Sequence, residues 1–311
     1  MRKTCLDAIT RLADRDPRVV FIGSDLGSGT MEAFRQRHPE RFFMEGISEQ
    51  AVIGMAAGLA MDGFIPYVNT IATFLSRRAL EQVCIDLCLH RLPVRLIGNG
   101  GGLVYAPQGP THLAFEDIAL LSALPNMTVV APCDADEMRR LIPETLAWPG
   151  PLYVRLAKGG DAIISRDDPP FAIGRAILLA SGEEIAFLTC GIMAQRAMAA
   201  RDLLAREGIT ASVIHLPTVK PLDRNAVIAA AGCHRLLITL EEHSLIGGLG
   251  AAVADILLAS DLPRLPQVRR LALEDAFPDH YGSQEELLEY AGLHPEGIAT
   301  RAMAALKPRR S

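Results

Sequence analysis

The sequence predicts two doubly wound α/β domains, each built on a mostly parallel sheet. In both halves of the chain, short apolar runs alternate with longer segments of helical periodicity, which is typical of parallel strands connected by helices. Between the halves, a polar, turn-rich stretch without periodicity begins at Lys158-Gly159-Gly160 and ends near Pro170, as in a linker. We therefore predict domains at residues 1–164 and 175–311, joined by a linker at residues 165–174.

The same patterns predict the elements of each domain. In the first domain we expect strands near 18–23, 65–69, 94–98, 127–131 and 152–156, with helices near 31–38, 48–62, 74–90, 113–124 and 134–147. In the second we expect strands near 185–189, 211–215, 236–240 and 269–273, with helices near 193–207, 223–231, 247–260 and 283–291. The glycine-rich residues 98–102 follow a predicted strand, where open α/β sheets bind ligands, but they lack the spacing of a P-loop or a dinucleotide site.

Composition excludes several classes of function. Half of the 311 residues are hydrophobic and 22% are charged, as in a folded globular protein. A formal net charge of −5 argues against a nucleic-acid or anionic-membrane surface, and no apolar run approaches the roughly 18 residues of a membrane span. The N-terminus lacks the apolar core of a secretory signal. The six cysteines are scattered, so we expect reduced thiols, no metal site and a cytoplasmic protein.

Residues 43–60 contain the most informative carboxylate. A strand-like segment runs into a turn at Gly46, Ser48 is a suitable helix N-cap, and Glu49 falls in the first helical turn. The helix that follows is rich in Ala and Gly on several faces, which suits close packing against another protein surface. Burial there disfavours a charged carboxylate unless it is paired or exchanges a proton. The alternative is that Glu49 only complements the helix dipole.

Six motifs carry a resemblance to a known family. They are Gly46-Ile47-Ser48-Glu49-Gln50, Thr73-Phe74-Leu75, Gly109-Pro110-Thr111-His112, Pro125-Asn126-Met127, Gly150-Pro151-Leu152-Tyr153-Val154-Arg155 and Glu241-Glu242-His243-Ser244-Leu245-Ile246-Gly247-Gly248-Leu249-Gly250. In this order they resemble thiamine-diphosphate enzymes of the transketolase family, over nearly the whole chain. The resemblance implies a pyrimidine-binding domain followed by a transketolase C-terminal-like domain.

The resemblance also implies how the cofactor is bound. Glu49 is expected to hydrogen-bond a ring nitrogen of the aminopyrimidine of thiamine diphosphate and to promote the imino form of its amino group, which takes a proton. Phe74 is expected to stack on the pyrimidine ring, although aromatic residues usual in the next turns are replaced by Arg77 and Leu80. Asp25 resembles an aspartate near the cofactor and the subunit contact.

Four residues are implied to face the substrate. His112 is expected to contact substrate hydroxyls and to move protons near neutral pH. Arg155 matches a position that binds a sugar phosphate, and Ser28 is a possible second phosphate contact. Gln108 stands where the family has an aspartate that recognises a sugar hydroxyl, and Gly100 stands where it has a histidine. These departures leave the substrate open.

The sequence contains no Gly-Asp-Gly, the family's diphosphate and Mg²⁺ motif. We therefore expect a separate N-terminal subunit to hold Mg²⁺ and the diphosphate, in a heterotetramer of two copies of each chain that is active only when assembled. The predicted reaction transfers a two-carbon ketol unit between sugar phosphates. The alternatives are an acyloin synthase or 2-oxo-acid dehydrogenase beta-type subunit, a deoxyxylulose-phosphate synthase, and a regulatory subunit without turnover. Retention of Glu49, Phe74, His112 and Arg155 argues against the last of these.

Overall fold

A computed structural model describes residues 1–24, 29, 31–165, 170–279 and 281–307 of the chain. The strands of the first half are β1 (Val19–Ser24), β2 (Phe42–Glu45), β3 (Ile65–Ile71), β4 (Arg95–Asn99), β5 (Thr128–Val130) and β6 (Leu152–Leu156). Its helices are α1 (Arg2–Ala13), α2 (Glu32–Arg37), α3 (Glu49–Met61), α4 (Leu80–Gln82), α5 (Asp117–Ser122) and α6 (Ala135–Leu146). Single 3-10 turns lie at Pro39–Arg41 and Ala106–Gln108, and π-helical turns at Phe74–Arg78 and Val83–Cys88.

The second half contributes six strands and five helices among the described residues. The strands are β7 (Ile177–Ala180), β8 (Ile185–Thr189), β9 (Ala211–His215), β10 (Thr218–Lys220), β11 (Leu236–Ser244) and β12 (Gln267–Leu273). The helices are α7 (Met193–Arg206), α8 (Arg224–Cys233), α9 (Leu249–Leu258), α10 (Gln284–Tyr290) and α11 (Pro295–Leu306). In the part of the chain that the structure describes, no helix has the length and apolarity needed to cross a membrane.

Two sheets organise the described residues, and both are mostly parallel as predicted. The first has the order β10-β5-β6-β4-β3-β1-β2, and the second β12-β11-β8-β9-β7. Only β10 and β7, each at a sheet edge, run antiparallel to their neighbours. Every residue of β4 and β6 is buried, because helices cover both faces of the sheet. The carboxyl ends of β1, β3 and β4 therefore share one edge, where open α/β sheets bind ligands.

β10 joins the two halves through the backbone. Although it follows β9 in sequence, it pairs with β5 of the first sheet, with Thr218 opposite Val130, and the amide of Ala131 donates to the carbonyl of Pro217 at 2.7 Å. The predicted domain boundary at residues 165–174 stays a prediction. The first sheet takes its edge strand from beyond that boundary.

Two of the predicted helices differ from the observed elements. The segment 74–90 is not one α-helix but two π-helical turns flanking α4, and the hydroxyl of Ser76 donates to the carbonyl of Ala72 at 3.0 Å, a side-chain bond that competes with the helical ladder. The helix expected over 113–124 begins only at Asp117, because Ala114 forms a two-way backbone bridge with Gly102. Helices α1 and α11 and strands β7 and β10 were not predicted.

Candidate active site

Glu49 is a buried carboxylate at the start of α3. Its side chain is 1% exposed, although the turn at residues 46–48 just before it is exposed to solvent. The Nη1 atom of Arg78 donates to its Oε2 atom at 2.7 Å. Ser48 does occupy the N-cap position, but its side chain makes no cap hydrogen bond to the helix. The guanidinium of Arg78 and the start of α3 thus provide partners for a carboxylate that is otherwise expensive to bury.

The π-helical turn Phe74–Arg78 contains Phe74, the residue predicted to stack on the cofactor. The guanidinium carbon of Arg78 lies 4.2 Å from the centroid of the Phe74 ring, and the ring of His112 meets Phe74 edge-on with centroids 5.5 Å apart. Glu49, Arg78, Phe74 and His112 therefore form one continuous row of contacts. Residues of π-helical turns are frequent at functional sites.

Arg78 is the part of this row that the sequence did not predict. The sequence indicated only that aromatic residues are missing after Phe74. The structure shows that a planar guanidinium lies over the Phe74 ring, where it makes a cation–π contact. The one available signal was the four-residue spacing from Phe74 to Arg78, which on an α-helix also places side chains side by side.

Arg77 fixes the loop that carries His112. Its Nη1 atom donates to the carbonyl of Pro110 at 3.0 Å, and its Nε atom pairs with Glu116. His112 is half-buried, and its Nδ1 atom lies 2.9 Å from the hydroxyl of Thr111. The two sides of the loop are therefore anchored to the same turn that holds Phe74, which keeps the imidazole at the site.

Residues 100–116, the central loop, connect β4 to α5. Gln108 lies exposed in its short 3-10 turn. Gly100 has a φ of +70°, and a Cβ atom there would overlap the ring of Tyr105. A histidine at position 100 is therefore excluded in this conformation, and the Tyr105 ring occupies the adjoining space. The space beside the other glycines is filled by side chains of the protein itself, since a Cβ atom at Gly101 would overlap Arg155 and one at Gly102 would overlap Glu242.

Arg155 is turned into the protein. Its side chain is 6% exposed, and its Nε atom lies 3.0 Å from Oδ2 of the fully buried Asp117. Its Nη2 atom donates to the carbonyls of Ala114 and Glu242 at 3.0 and 2.8 Å, and the hydroxyl of Tyr153 donates to Asp117 at 2.6 Å. Burial opposes the charge, yet the carboxylates of Asp117 and Glu242 raise the pKa of Arg155. The phosphate-binding role stays a prediction, and in this conformation the guanidinium binds internal groups.

Asp25 and Ser28 lie outside the described residues, so their predicted roles stay predictions. Of the predicted site residues that the structure describes, Glu49, Phe74 and His112 lie together. Gln108 lies in the same loop as His112, and Arg155 lies beneath that loop.

Three consecutive side chains of β11, those of Glu241, Glu242 and His243, accept hydrogen bonds from the backbone amides of three different segments. Glu241 accepts hydrogen bonds from the amides of Leu249 and Gly250 at 2.6 and 2.8 Å at the start of α9, and burial raises its pKa to about 7. Glu242 accepts from the amide of Leu103 at 2.9 Å. The Nε2 atom of His243 accepts from the amide of Ala119 at 3.2 Å. Burial lowers the pKa of His243 to about 4, consistent with a neutral ring.

One buried cluster has residue types that bind metals. Within the described ranges, Cys133, Glu137 and His215 bring ligand atoms within 4.8 Å of one another, a grouping that the sequence did not reveal because β9 and α6 are distant in the chain. Glu137 already accepts from the amide of Cys133 at 2.6 Å and lies 3.0 Å from Nε2 of His215. Thiol and imidazole ligands do not suit Mg²⁺.

Comparison with known proteins places these features in a family. Residues 1–160 match the transketolase pyrimidine binding domain and residues 174–298 the transketolase C-terminal domain. The chain is 35% identical to a 6-deoxy-6-sulfo-D-fructose transketolase subunit of Clostridium sp. (strain MSTE9), covering 97% of this chain and 93% of that protein. It is also 35% identical to an apulose-4-phosphate transketolase subunit of Phocaeicola vulgatus, covering 98% and 97%.

A solved structure agrees with the sequence matches. It is described as "Split gene transketolase, inactive beta4 tetramer" and superimposes with a TM-score of 0.89 at 34% identity, covering 98% of this chain and 97% of that one. The sheet order, the site and these matches lead to the same conclusion: the chain belongs to the transketolase family and contains a pyrimidine-binding domain and a C-terminal domain of that family.

Proposed function

We propose that the chain is the pyrimidine-binding subunit of a two-subunit transketolase that transfers a two-carbon ketol unit between sugar phosphates with thiamine diphosphate. The observation that carries the proposal is the buried Glu49 carboxylate, which lies in one row of contacts with Arg78, Phe74 and His112. Membership of the transketolase family supports the transferase activity.

The residues of this row fit the aminopyrimidine of the cofactor. Glu49 offers a carboxylate for a protonated ring nitrogen, and Phe74 offers an apolar ring for stacking. The neighbouring Thr73 hydroxyl is buried and is without a hydrogen-bond partner among the described residues, so a polar ligand group would satisfy it. When bound, thiamine diphosphate supplies a nucleophilic carbon that attacks a substrate carbonyl. The role of Glu49 is to hold a proton at the ring nitrogen, and Phe74 excludes water from that contact.

The substrate side is assigned to the central loop. His112 is half-buried beside Phe74, where its imidazole can hydrogen-bond substrate hydroxyls, and the exposed Gln108 is available to a sugar hydroxyl. Arg155 and Ser28 remain proposed phosphate ligands, and Arg155 would have to give up internal contacts to bind one. Tyr105, in the space beside Gly100, favours a substrate that differs from that of enzymes with a histidine there. The named relatives differ in their sugars.

A partner subunit is proposed to cover Glu49 and to supply the diphosphate and Mg²⁺ site, in a heterotetramer of two copies of each chain in the cytoplasm. The outer face of α3 supports this arrangement, because Gly54 and Gly58 are exposed with open space above them. Large apolar side chains are also exposed on α3 itself, on the strand and turn before it, and at the π-helical turn Val83–Cys88, which packs against α3, and the residue after that turn: Met61, Met44, Ile47, Ile85 and Leu89. Such an apolar surface is typical of a protein interface. The relatives named as subunits are consistent with it.

The experiment is turnover of ketose-phosphate donors with aldose acceptors by the chain co-purified with its candidate partner, thiamine diphosphate and Mg²⁺. Glu49→Gln keeps the shape of the side chain and removes its charge, so we expect activity to fall roughly 100- to 10,000-fold. Glu207→Gln, an exposed glutamate at the end of α7, is the matched control and should keep full activity.

Three outcomes are informative. Transfer that requires both chains and is lost in Glu49→Gln supports the proposal. Release of CO₂ from a 2-oxo acid without ketol transfer would assign the chain to the acyloin synthase or dehydrogenase class instead. Equal turnover by wild type and Glu49→Gln would refute the role of Glu49.

A further inference from the structure

The end of β11 contacts both ends of the central loop. The amide of Leu103, at the start of the loop, donates to Oε1 of Glu242 at 2.9 Å. At the other end, the amide of Ser244 donates to the carbonyl of Phe115 at 2.6 Å. The base of the loop is closed between these points, because Gly102 and Ala114 exchange two backbone hydrogen bonds of 2.8 and 3.0 Å.

Glu242 is the side chain at the centre of this arrangement. It is 3% exposed, and its Oε1 atom also accepts from the amide group of Gln284 at 2.7 Å. Its own carbonyl accepts from Arg155, which in turn donates to Ala114 in the loop. Burial raises the pKa of Glu242 above the ordinary carboxyl value. Burying a carboxylate is costly in free energy, so the presence of one at this contact indicates a specific role.

Gly102 shows that the approach of Glu242 is specific. The residue has a φ of +67°, and a Cβ atom there would overlap the carboxyl group of Glu242. Only glycine permits both this backbone conformation and this close approach. The next loop residue, Leu103, is the one whose amide the carboxylate binds.

From these contacts we propose that Glu242 is a positioning residue of the second domain, which fixes where the central loop presents His112, beside Phe74, and the exposed Gln108. The inference rests on the proposed function, since it takes the loop to be the substrate-binding element. It assigns a role to Glu242, which in the sequence stands only as part of a motif that carries the family resemblance.

The physical argument concerns the freedom of the loop tip. Residues 103–113 lie between the two sides of the Gly102–Ala114 bridge, and Leu103 beside the bridge is buried, so loss of the Glu242 contact loosens the leg at Leu103 and lets the tip shift. Arg77 holds the tip at Pro110, but it does not hold the leg at Leu103. Misplacing a substrate-binding group by about 1 Å can cost roughly 100-fold in rate.

The test compares Glu242→Ala with Glu242→Gln, whose amide oxygen can still accept from Leu103 and Gln284. Gln284→Leu is a milder variant that removes one of these hydrogen bonds and guards against misfolding. Glu289→Ala, at an exposed position of α10, is the control. Hydrogen exchange of residues 103–113 is measured on the full chain. The KM and kcat for sugar phosphates and the Kd of thiamine diphosphate are measured on the two-subunit complex.

In Glu242→Ala we expect faster hydrogen exchange at residues 103–113 and a loss of roughly 10- to 100-fold in kcat/KM. Gln284→Leu should change both quantities in the same direction but less. Glu242→Gln should keep exchange and kcat/KM close to the wild-type values. The Kd of thiamine diphosphate should stay unchanged, because Glu49 and Phe74 are not touched. Unchanged exchange, or faster exchange with unchanged kinetics, would overturn the positioning role. A wild-type complex that binds thiamine diphosphate but transfers no ketol unit would instead overturn the proposed function.

Discussion

Replacing Arg155 by methionine tests whether its guanidinium serves the fold or the substrate. The side chain lies 3.0 Å from Asp117, and the two side chains are 6% and 0% exposed. Methionine fills much of the same volume but leaves the Asp117 carboxylate in the interior without its cation. Breaking a buried pair in this way costs about 3–5 kcal/mol. The hydroxyl of Tyr153, which donates to Asp117 at 2.6 Å, remains and offsets part of the loss, so we expect a cost of about 3 kcal/mol.

Urea unfolding followed by circular dichroism measures this loss. Arg139→Met is the matched control, because its pair with Asp136 is much more exposed, at 51% and 27%, and should contribute less than about 1 kcal/mol. The double variant Arg155→Met/Asp117→Leu removes both charges and should be more stable than the sum of the single losses predicts. A chain that unfolds like wild type after Arg155→Met, while the KM of the two-subunit complex for sugar phosphates rises, would refute this reasoning and support the phosphate-binding prediction.

Three further changes have defined outcomes. Arg78→Ala should lower the unfolding free energy by about 1–3 kcal/mol in the same urea assay, because Arg78 is 40% exposed but its removal leaves the buried Glu49 carboxylate without this cation. Gly102→Ala should be clearly less stable than Gly63→Ala, since both positions have positive φ but only Gly102 faces a side chain, that of Glu242, and Gly63 faces open space; equal losses would contradict the close approach. Burial raises the pKa of Glu241 from 4.5 to about 7, so its stabilising contribution is complete below pH 4.5 and is lost as the pH rises through 7. Urea unfolding at pH 5 and pH 8 should therefore show a smaller pH difference in Glu241→Gln than in wild type, by up to the order of 3 kcal/mol.

The fold was predictable because its signals are local. The strands Ile185–Thr189, Ala211–His215 and Leu152–Leu156 coincide with their predicted ranges, since a run of buried apolar residues marks a strand in a parallel sheet. Helix α3, with Glu49 at its start, was found from its turn residues. The edge strand β10 was missed because three residues that pair across the predicted boundary carry no periodic pattern.

The site was predictable only in part. Glu49, Phe74 and His112 were proposed as site residues from motifs, and the sheet order explains why they lie together; their roles stay predictions. The inward direction of Arg155 did not follow from the sequence, because both faces of β6 are buried and alternation gives no direction. The contact of Arg78 with Glu49 depends on the π-helical turn that carries Arg78. The contact of Glu242 with Leu103 joins residues that are 139 positions apart in the chain. No periodicity in the sequence encodes either contact.

The measurement that tests the central claim most directly is the rate of hydrogen–deuterium exchange at the thiazolium carbon of thiamine diphosphate bound to the two-subunit complex. It reports on the proton that Glu49 is proposed to help remove, without any sugar substrate. We predict a fall of roughly 100-fold or more in Glu49→Gln and no change in Glu207→Gln. Exchange in Glu49→Gln as fast as in wild type, with the cofactor bound, would contradict the account.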